Sequence, residues 1–131
     1  MDKNAKIFLS VVGILVLGVI ATALVRSNPS SEPAGPGKYD AFATCLKDKG
    51  AVFYGAYWCP HCNAQKKMFG SSAKLLPYVE CSTLDAKGQT PMCIEKKVVS
   101  YPTWEFADGS RLNGEIPLAT LAEKTSCELP Q

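Results

Sequence analysis

Net charge is nearly absent from most of this chain. Fourteen Lys and Arg against twelve Asp and Glu leave +2 over 131 residues, and Lys3, Lys6 and Arg26 against Asp2 already supply that +2. The remaining residues are neutral and offer no electrostatic footprint for a phosphate backbone, so nucleic-acid binding is excluded as a function class. Also missing are any charge between Ile7 and Val25, any internal repeat, and the length for two ordinary domains. Cysteine, in contrast, is abundant. Six in so short a chain mark an oxidising compartment, a metal site or thiol chemistry.

The nineteen uncharged residues 7–25 would span roughly 28 Å as a helix, close to one bilayer core. A cleaved secretory signal is the competing reading, because Lys3 and Lys6 form a basic start and Ala21-Thr22-Ala23 resembles a small-residue cleavage site. Apolar character continues through Leu24 and Val25, which favours an uncleaved anchor. The positive-inside rule then keeps the short tail cytoplasmic and puts the rest outside, on the periplasmic or extracytoplasmic face of an inner membrane crossed once. Residues 27–37, with three Pro, two Gly and three Ser, read as a flexible linker. The expected organisation is therefore tail and anchor over 1–26, linker over 27–37, and one folded domain over 38–131.

Within that domain Tyr39, Phe42, Ala43 and Leu46 recur at helical spacing and Gly50 follows as a stop, predicting a helix over 39–49. Residues 51–57 are a β-prone apolar run, followed at once by Cys59-Pro60-His61-Cys62 and a helix that Gly70 closes. Residues 78–81 read as a second strand and Ile94 to Val98 as part of a short helix. Thr103 to Phe106, the Asp108-Gly109 turn and Ser110 to Leu112 form a hairpin, and Pro117 opens a last helix. The predicted order is one helix, then β-α-β-α-β-β-α.

A C-x-x-C between a strand and a helix serves dithiol redox chemistry or metal binding. A structural zinc site normally takes four ligands as two spaced pairs. Here Cys81 and Cys93 are single cysteines, so redox chemistry is preferred and no metal or cofactor is expected. A non-enzymatic metal-binding module using Cys59, Cys62 and His61 remains the rival of a different class. Cys59 opens the helix, where unpaired N–H groups and the positive dipole end favour thiolate, and is assigned as the exposed nucleophile. Pro60 is tolerated in the first turn, and Cys62, one turn inside, resolves the mixed disulfide. His61 adds a donor or positive charge beside Cys59, which would stabilise the reduced form and make the disulfide a stronger oxidant, or is simply an exposed turn residue. Trp58 is either a platform over the motif or packing at a strand end.

This order of elements resembles the thioredoxin fold, with Tyr101-Pro102-Thr103 matching the family's cis-proline segment. A narrower match is to the thioredoxin-like domain of bacterial vitamin K epoxide reductase homologues, over Gly55-Ala56-Tyr57-Trp58-Cys59-Pro60-His61-Cys62, Gln65 to Gly70, Tyr78-Val79-Glu80-Cys81, Cys93 and Tyr101 to Glu105. The resemblance implies a cis Tyr101-Pro102 bond beside the cysteines, with Tyr101, Pro102 and Trp58 docking substrate. It also implies a thiol-disulfide oxidoreductase that oxidises exported protein thiols and is reoxidised by a vitamin K epoxide reductase-like, quinone-linked membrane enzyme. Such proteins are often fused to a multi-helix membrane enzyme, whereas one anchor is expected here, so the quinone chemistry is either in another protein or absent. The opposite electron flow, a disulfide reductase of the cytochrome-maturation type, is the alternative. One departure concerns proton transfer: thioredoxins carry a buried Asp six residues before the first motif cysteine, where this chain has Phe53, and Glu80 is either a substitute or a solvated strand-end carboxylate.

Four cysteines lie outside the motif. Cys81 and Cys93 either staple the intervening loop or form a second redox pair, since parallel strands of a β-α-β unit end at one edge and would bring Cys81 toward the active-site side. The staple is preferred. Cys45 and Cys127 either form a third bridge or stay separate thiols.

Overall fold

The computed structural model describes residues 35–131 and, nearer the N-terminus, positions 2, 3, 7, 12 and 14. The expected tail apart from Asp2 and Lys3, the cleavage site, all but three positions of the expected anchor, and the linker up to Ala34 lie outside the described residues. Among the described residues no helix is long and apolar enough to cross a membrane. Residues from Gly35 to Gln131 form one compact unit.

Helix α1 (Asp40–Asp48) buries Phe42, Ala43 and Leu46, the stripe its spacing prescribes. The chain reverses through Gly50, at φ +76, into strand β1 (Val52–Gly55). Helix α2 (Pro60–Met68) follows, with a 3-10 turn over Gly70–Leu75 after it. Then come β2 (Tyr78–Glu80), α3 (Pro91–Glu95), β3 (Thr103–Glu105), β4 (Arg111–Asn113) and α4 (Leu118–Thr125). This mixed α/β order fits a thioredoxin-like fold. Two local differences from the sequence reading have plain causes. Helix α3 begins earlier, because Pro91 is suited to a first turn, and ends before Val98, because Lys97 takes a left-handed φ of +52. Gly70 does not simply end a helix but opens the 3-10 turn.

The four strands lie in the order β2-β1-β3-β4, with β1 parallel to β2 and antiparallel to β3, and β3 antiparallel to β4. Both faces of β1 are buried, and its alternation sorts two cores. Phe53 points into the main core with Phe42, Leu46, Phe69, Trp104 and Leu121, where its ring stacks on Trp104 at 4.8 Å between centroids. Tyr54 points into a smaller cluster with Cys81, Cys93 and Val98. The main core thus joins α1, α2 and α4 to the sheet, and α3 supplies the smaller one.

Cys45 on α1 is bonded to Cys127 just past α4, and Cys81 to Cys93 across the β2–α3 loop. Both sulfurs of the second bridge are fully buried in a cluster separate from the one that holds Cys59 and Cys62, which favours the staple over the relay. The first bridge joins residues 82 positions apart, so chain entropy assigns it the larger effect. Replacing both Cys45 and Cys127 by Ala should lower the unfolding free energy by about 4 kcal/mol in a denaturant titration, and a loss below about 1 kcal/mol would contradict that role.

Candidate active site

The site grows from the junction of β1 and α2. Strand β1 ends at Gly55, the chain turns through Ala56 to Trp58, and Cys59 takes an extended conformation as the N-cap of α2. Pro60 occupies the first helical position, where a missing N–H costs nothing. Cys59 accepts the first intrahelical bond through its carbonyl, from Asn63 N–H at 3.1 Å, and no side chain caps the helix. The unpaired N–H groups and the positive dipole end are therefore left beside the Cys59 sulfur.

Cys59 and Cys62 carry free thiols, the reduced form of the pair. The sequence reading made Cys59 exposed, but the structure leaves it only 5% accessible, against 0% for Cys62. The segment that places the Tyr101 carbonyl against the Cys59 sulfur contributes to the difference, yet the accessibility that remains belongs to Cys59. Burial pushes the Cys62 thiol up to about 12, a hydrogen bond to Cys59 adds to the rise, and the Ala56 backbone and Lys66 oppose it. The dithiol is thus asymmetric: one sulfur borders solvent at a helix start and the other is kept protonated underneath.

What makes room for Cys62 is the lack of a side chain at Gly55. A Cβ there would meet Cys62 Sγ and the Tyr78 ring edge, each at 2.8 Å, so sulfur and ring lie within about twice that distance of each other. Tyr78 donates its hydroxyl to Glu80 Oε2 at 2.7 Å, and burial together with that carboxylate holds the phenol protonated well above its ordinary range. Lys66 Nζ sits 3.4 Å from the centroid of the same ring. Glu80 is not merely a solvated strand-end carboxylate: its other oxygen accepts the N–H groups of Ser82 at 2.8 Å and Tyr57 at 3.3 Å, tying β2 to the motif turn.

The Tyr101-Pro102 peptide is cis, and the Cys59 thiol donates to Tyr101 O at 3.8 Å, so this segment lies against the nucleophile position. Trp58 is half exposed, with its edge against the Tyr101 ring at 6.1 Å and its Nε1–H donating to Ser82 Oγ at 2.8 Å. It is therefore anchored at the rim as well as packed. His61 is brought to the motif but is not hydrogen-bonded to Cys59 among the described residues. Its Nδ1 pairs with Glu115 Oε1 at 2.6 Å on the loop before α4, with the ring largely exposed. Cys45, Cys81, Cys93 and Cys127 are all consumed in disulfides away from this pair. Among the described residues no group of three or more His, Cys, Asp or Glu side chains is gathered as a metal centre requires.

Sequence reasoning passed over Gly55, Tyr78, Gln65 and Glu115 as site residues. Gln65 had a usable signal: it shares a helical face with Cys62 and Phe69, and a buried amide there demands partners. The others depend on contacts between distant segments. The asymmetry predicts that iodoacetamide at pH 8 modifies Cys59 alone in the folded, reduced chain, because burial keeps the Cys62 thiol protonated and out of solvent. Mass spectrometry reads the outcome, and equal labelling of the two cysteines before denaturation would contradict it.

No family model matches the chain. It is 45% identical over 95 residues, 70% of its length, to the thiol-disulfide oxidoreductase LTO1 of Arabidopsis thaliana, and it spans about a quarter (25%) of that protein. Together with the four-stranded mixed sheet, that similarity supports a thioredoxin-like family for this chain.

Proposed function

We propose that this chain is a membrane-tethered, extracytoplasmic thiol-disulfide oxidoreductase that oxidises exported protein thiols through a Cys59–Cys62 disulfide. The observation that carries the reading is the asymmetric dithiol at the start of α2, with Cys59 bordering solvent and Cys62 buried and held protonated. The similarity to a protein named a thiol-disulfide oxidoreductase supports it independently.

In the forward cycle a client thiolate bonds to the Cys59 sulfur, the Cys59–Cys62 bond breaks, and its electron pair leaves on Cys62, which takes up a proton. A second client thiolate then attacks its own partner sulfur in the mixed disulfide, releasing Cys59 and completing the client disulfide. Cys59 leaves as a thiolate and takes up a proton from solvent, so two electrons have moved to the dithiol and the protons lost by the client thiols are balanced through solvent. The hydrogen bond from Cys62 to Cys59, present only in the dithiol, stabilises that reduced form and makes the disulfide the stronger oxidant, while burial keeps Cys62 protonated. Tyr101, Pro102 and Trp58 frame the rim on which an extended client would lie, with main-chain contacts that do not depend on client sequence.

The cycle requires an acceptor for the two electrons. A vitamin K epoxide reductase-like, quinone-linked membrane enzyme is proposed for that step, on the motif resemblance, and residues 7–25 would hold the domain in the same membrane. Neither Cys81–Cys93 nor Cys45–Cys127 takes part, since each is buried or bonded apart from the motif.

The test is trapping. With a reduced client in an oxidising buffer, Cys62→Ser should accumulate mixed disulfides on Cys59 several-fold over wild type, because the resolving sulfur is gone. Cys59→Ser should accumulate none, and equal trapping by the two variants on non-reducing gels would overturn the assignment.

A further inference from the structure

Glu115 has no part in the cycle just described, yet it lies against the motif. The loop that carries it, between β4 and α4, is gripped by two residues of α2 one helical turn apart. At the first, His61 Nδ1 meets Glu115 Oε1 at 2.6 Å. At the second, Gln65, which is completely buried, uses both ends of its amide on one residue: it accepts Ile116 N–H at 2.6 Å and donates to Ile116 O at 3.0 Å. A buried amide left unpaired costs about 1–3 kcal/mol, so the clamp sets the register of the loop on the helix. Positions 61 and 65 share a helical face, as adjacent turns do. Fixing Ile116 on Gln65 therefore presents Glu115 to His61.

An ionised carboxylate only accepts hydrogen bonds, so the ring nitrogen facing it carries its proton whether the imidazole is neutral or charged. We propose that Glu115 is a positioning residue that fixes His61 as its Nδ1–H tautomer and leaves Nε2 as the nitrogen that exchanges protons with a client thiol at the motif. Nε2 has no partner among the described residues. The chemistry follows the rule that a second group orients a catalytic imidazole through its far nitrogen. Resting on the oxidoreductase reading, the step is as follows. A client thiol gives its proton to Nε2 and its sulfur bonds to Cys59. The Cys59–Cys62 bond breaks, and Cys62 receives the electron pair and a proton from solvent. The imidazolium then returns its proton to solvent, so charge and atoms balance with no further reactant.

Glu115 is partly exposed, at 35% of its side chain, and its replacement leaves the core intact. In the purified full-length chain labelled with nitrogen-15 at histidine, the neutral ring should be the Nδ1–H form in wild type and should shift toward the Nε2–H form in Glu115→Ala. Reaction of the oxidised chain with reduced glutathione should slow about tenfold in Glu115→Ala and in His61→Ala. In the His61→Ala background the Glu115 substitution should add roughly a twofold change at most, since both act through one group. Glu115→Gln, which keeps an acceptor oxygen, should recover part of the rate. An unchanged tautomer in Glu115→Ala, or a full effect persisting without His61, would overturn the proposal. If wild type fails to react with glutathione while the tautomer shifts as expected, the oxidoreductase reading falls and the positioning role of Glu115 is supported on its own.

Discussion

Burial of the Cys62 sulfur in the gap left by Gly55 is the constraint on which the rest of the site depends. The close approach of the Gly55 backbone, the Tyr78 ring edge and the first turn of α2 leaves no room for water around that sulfur, so its charged form is penalised and its neutral form retained. Because Cys62 is held under the helix, Cys59 is placed at the cap with the remaining solvent access and the Tyr101 carbonyl at its side. Two chemically identical residues three positions apart thereby acquire different roles. The difference comes from one strand ending, one helix beginning, and the absence of a single Cβ.

The framework around that junction is small and is held by more than its apolar core. Phe53, Trp104, Phe42 and Phe69 form the aromatic centre, and the two disulfides fasten its periphery, one closing the terminal helix onto α1 and the other closing the loop beside β2. Cross-links of this kind suit a domain of under a hundred residues, where surface is large relative to core. The Cys81–Cys93 bridge also fixes the segment bearing Ser82, to which Trp58 is hydrogen-bonded, and so steadies the rim beside Cys59.

Much of this arrangement could be read along the chain, because the features concerned are local. The stripe of α1, the glycine stop, the apolar β1 run, the motif at a helix start and the hairpin around Asp108-Gly109 each announce themselves within a few residues. Where local signals compete, the reading slipped. Val98 looks helical by its apolar neighbours, yet Pro91 starts α3 early and the turn at Lys97 ends it, so Val98 packs in the second core from a loop. Nothing in the sequence around His61 points to the partner of its Nδ1, a carboxylate fifty-four positions away. The carboxylate of Glu80 looked solvated until the fold supplied Tyr78, Tyr57 and Ser82 as donors. Such pairings arise only when the sheet order and loop register are known, which composition and periodicity do not specify.

The reduction potential of the Cys59–Cys62 couple tests the account most directly, because the hydrogen bond from Cys62 to Cys59 exists only in the dithiol and, with the helix start beside Cys59, must appear there as a more oxidising disulfide. Equilibration of the chain with glutathione buffers of known ratio, read by mass after alkylation, should give one two-electron couple nearer about −120 mV than about −270 mV. A value below about −300 mV, where inert structural disulfides lie, or the absence of any reversible couple, would contradict it.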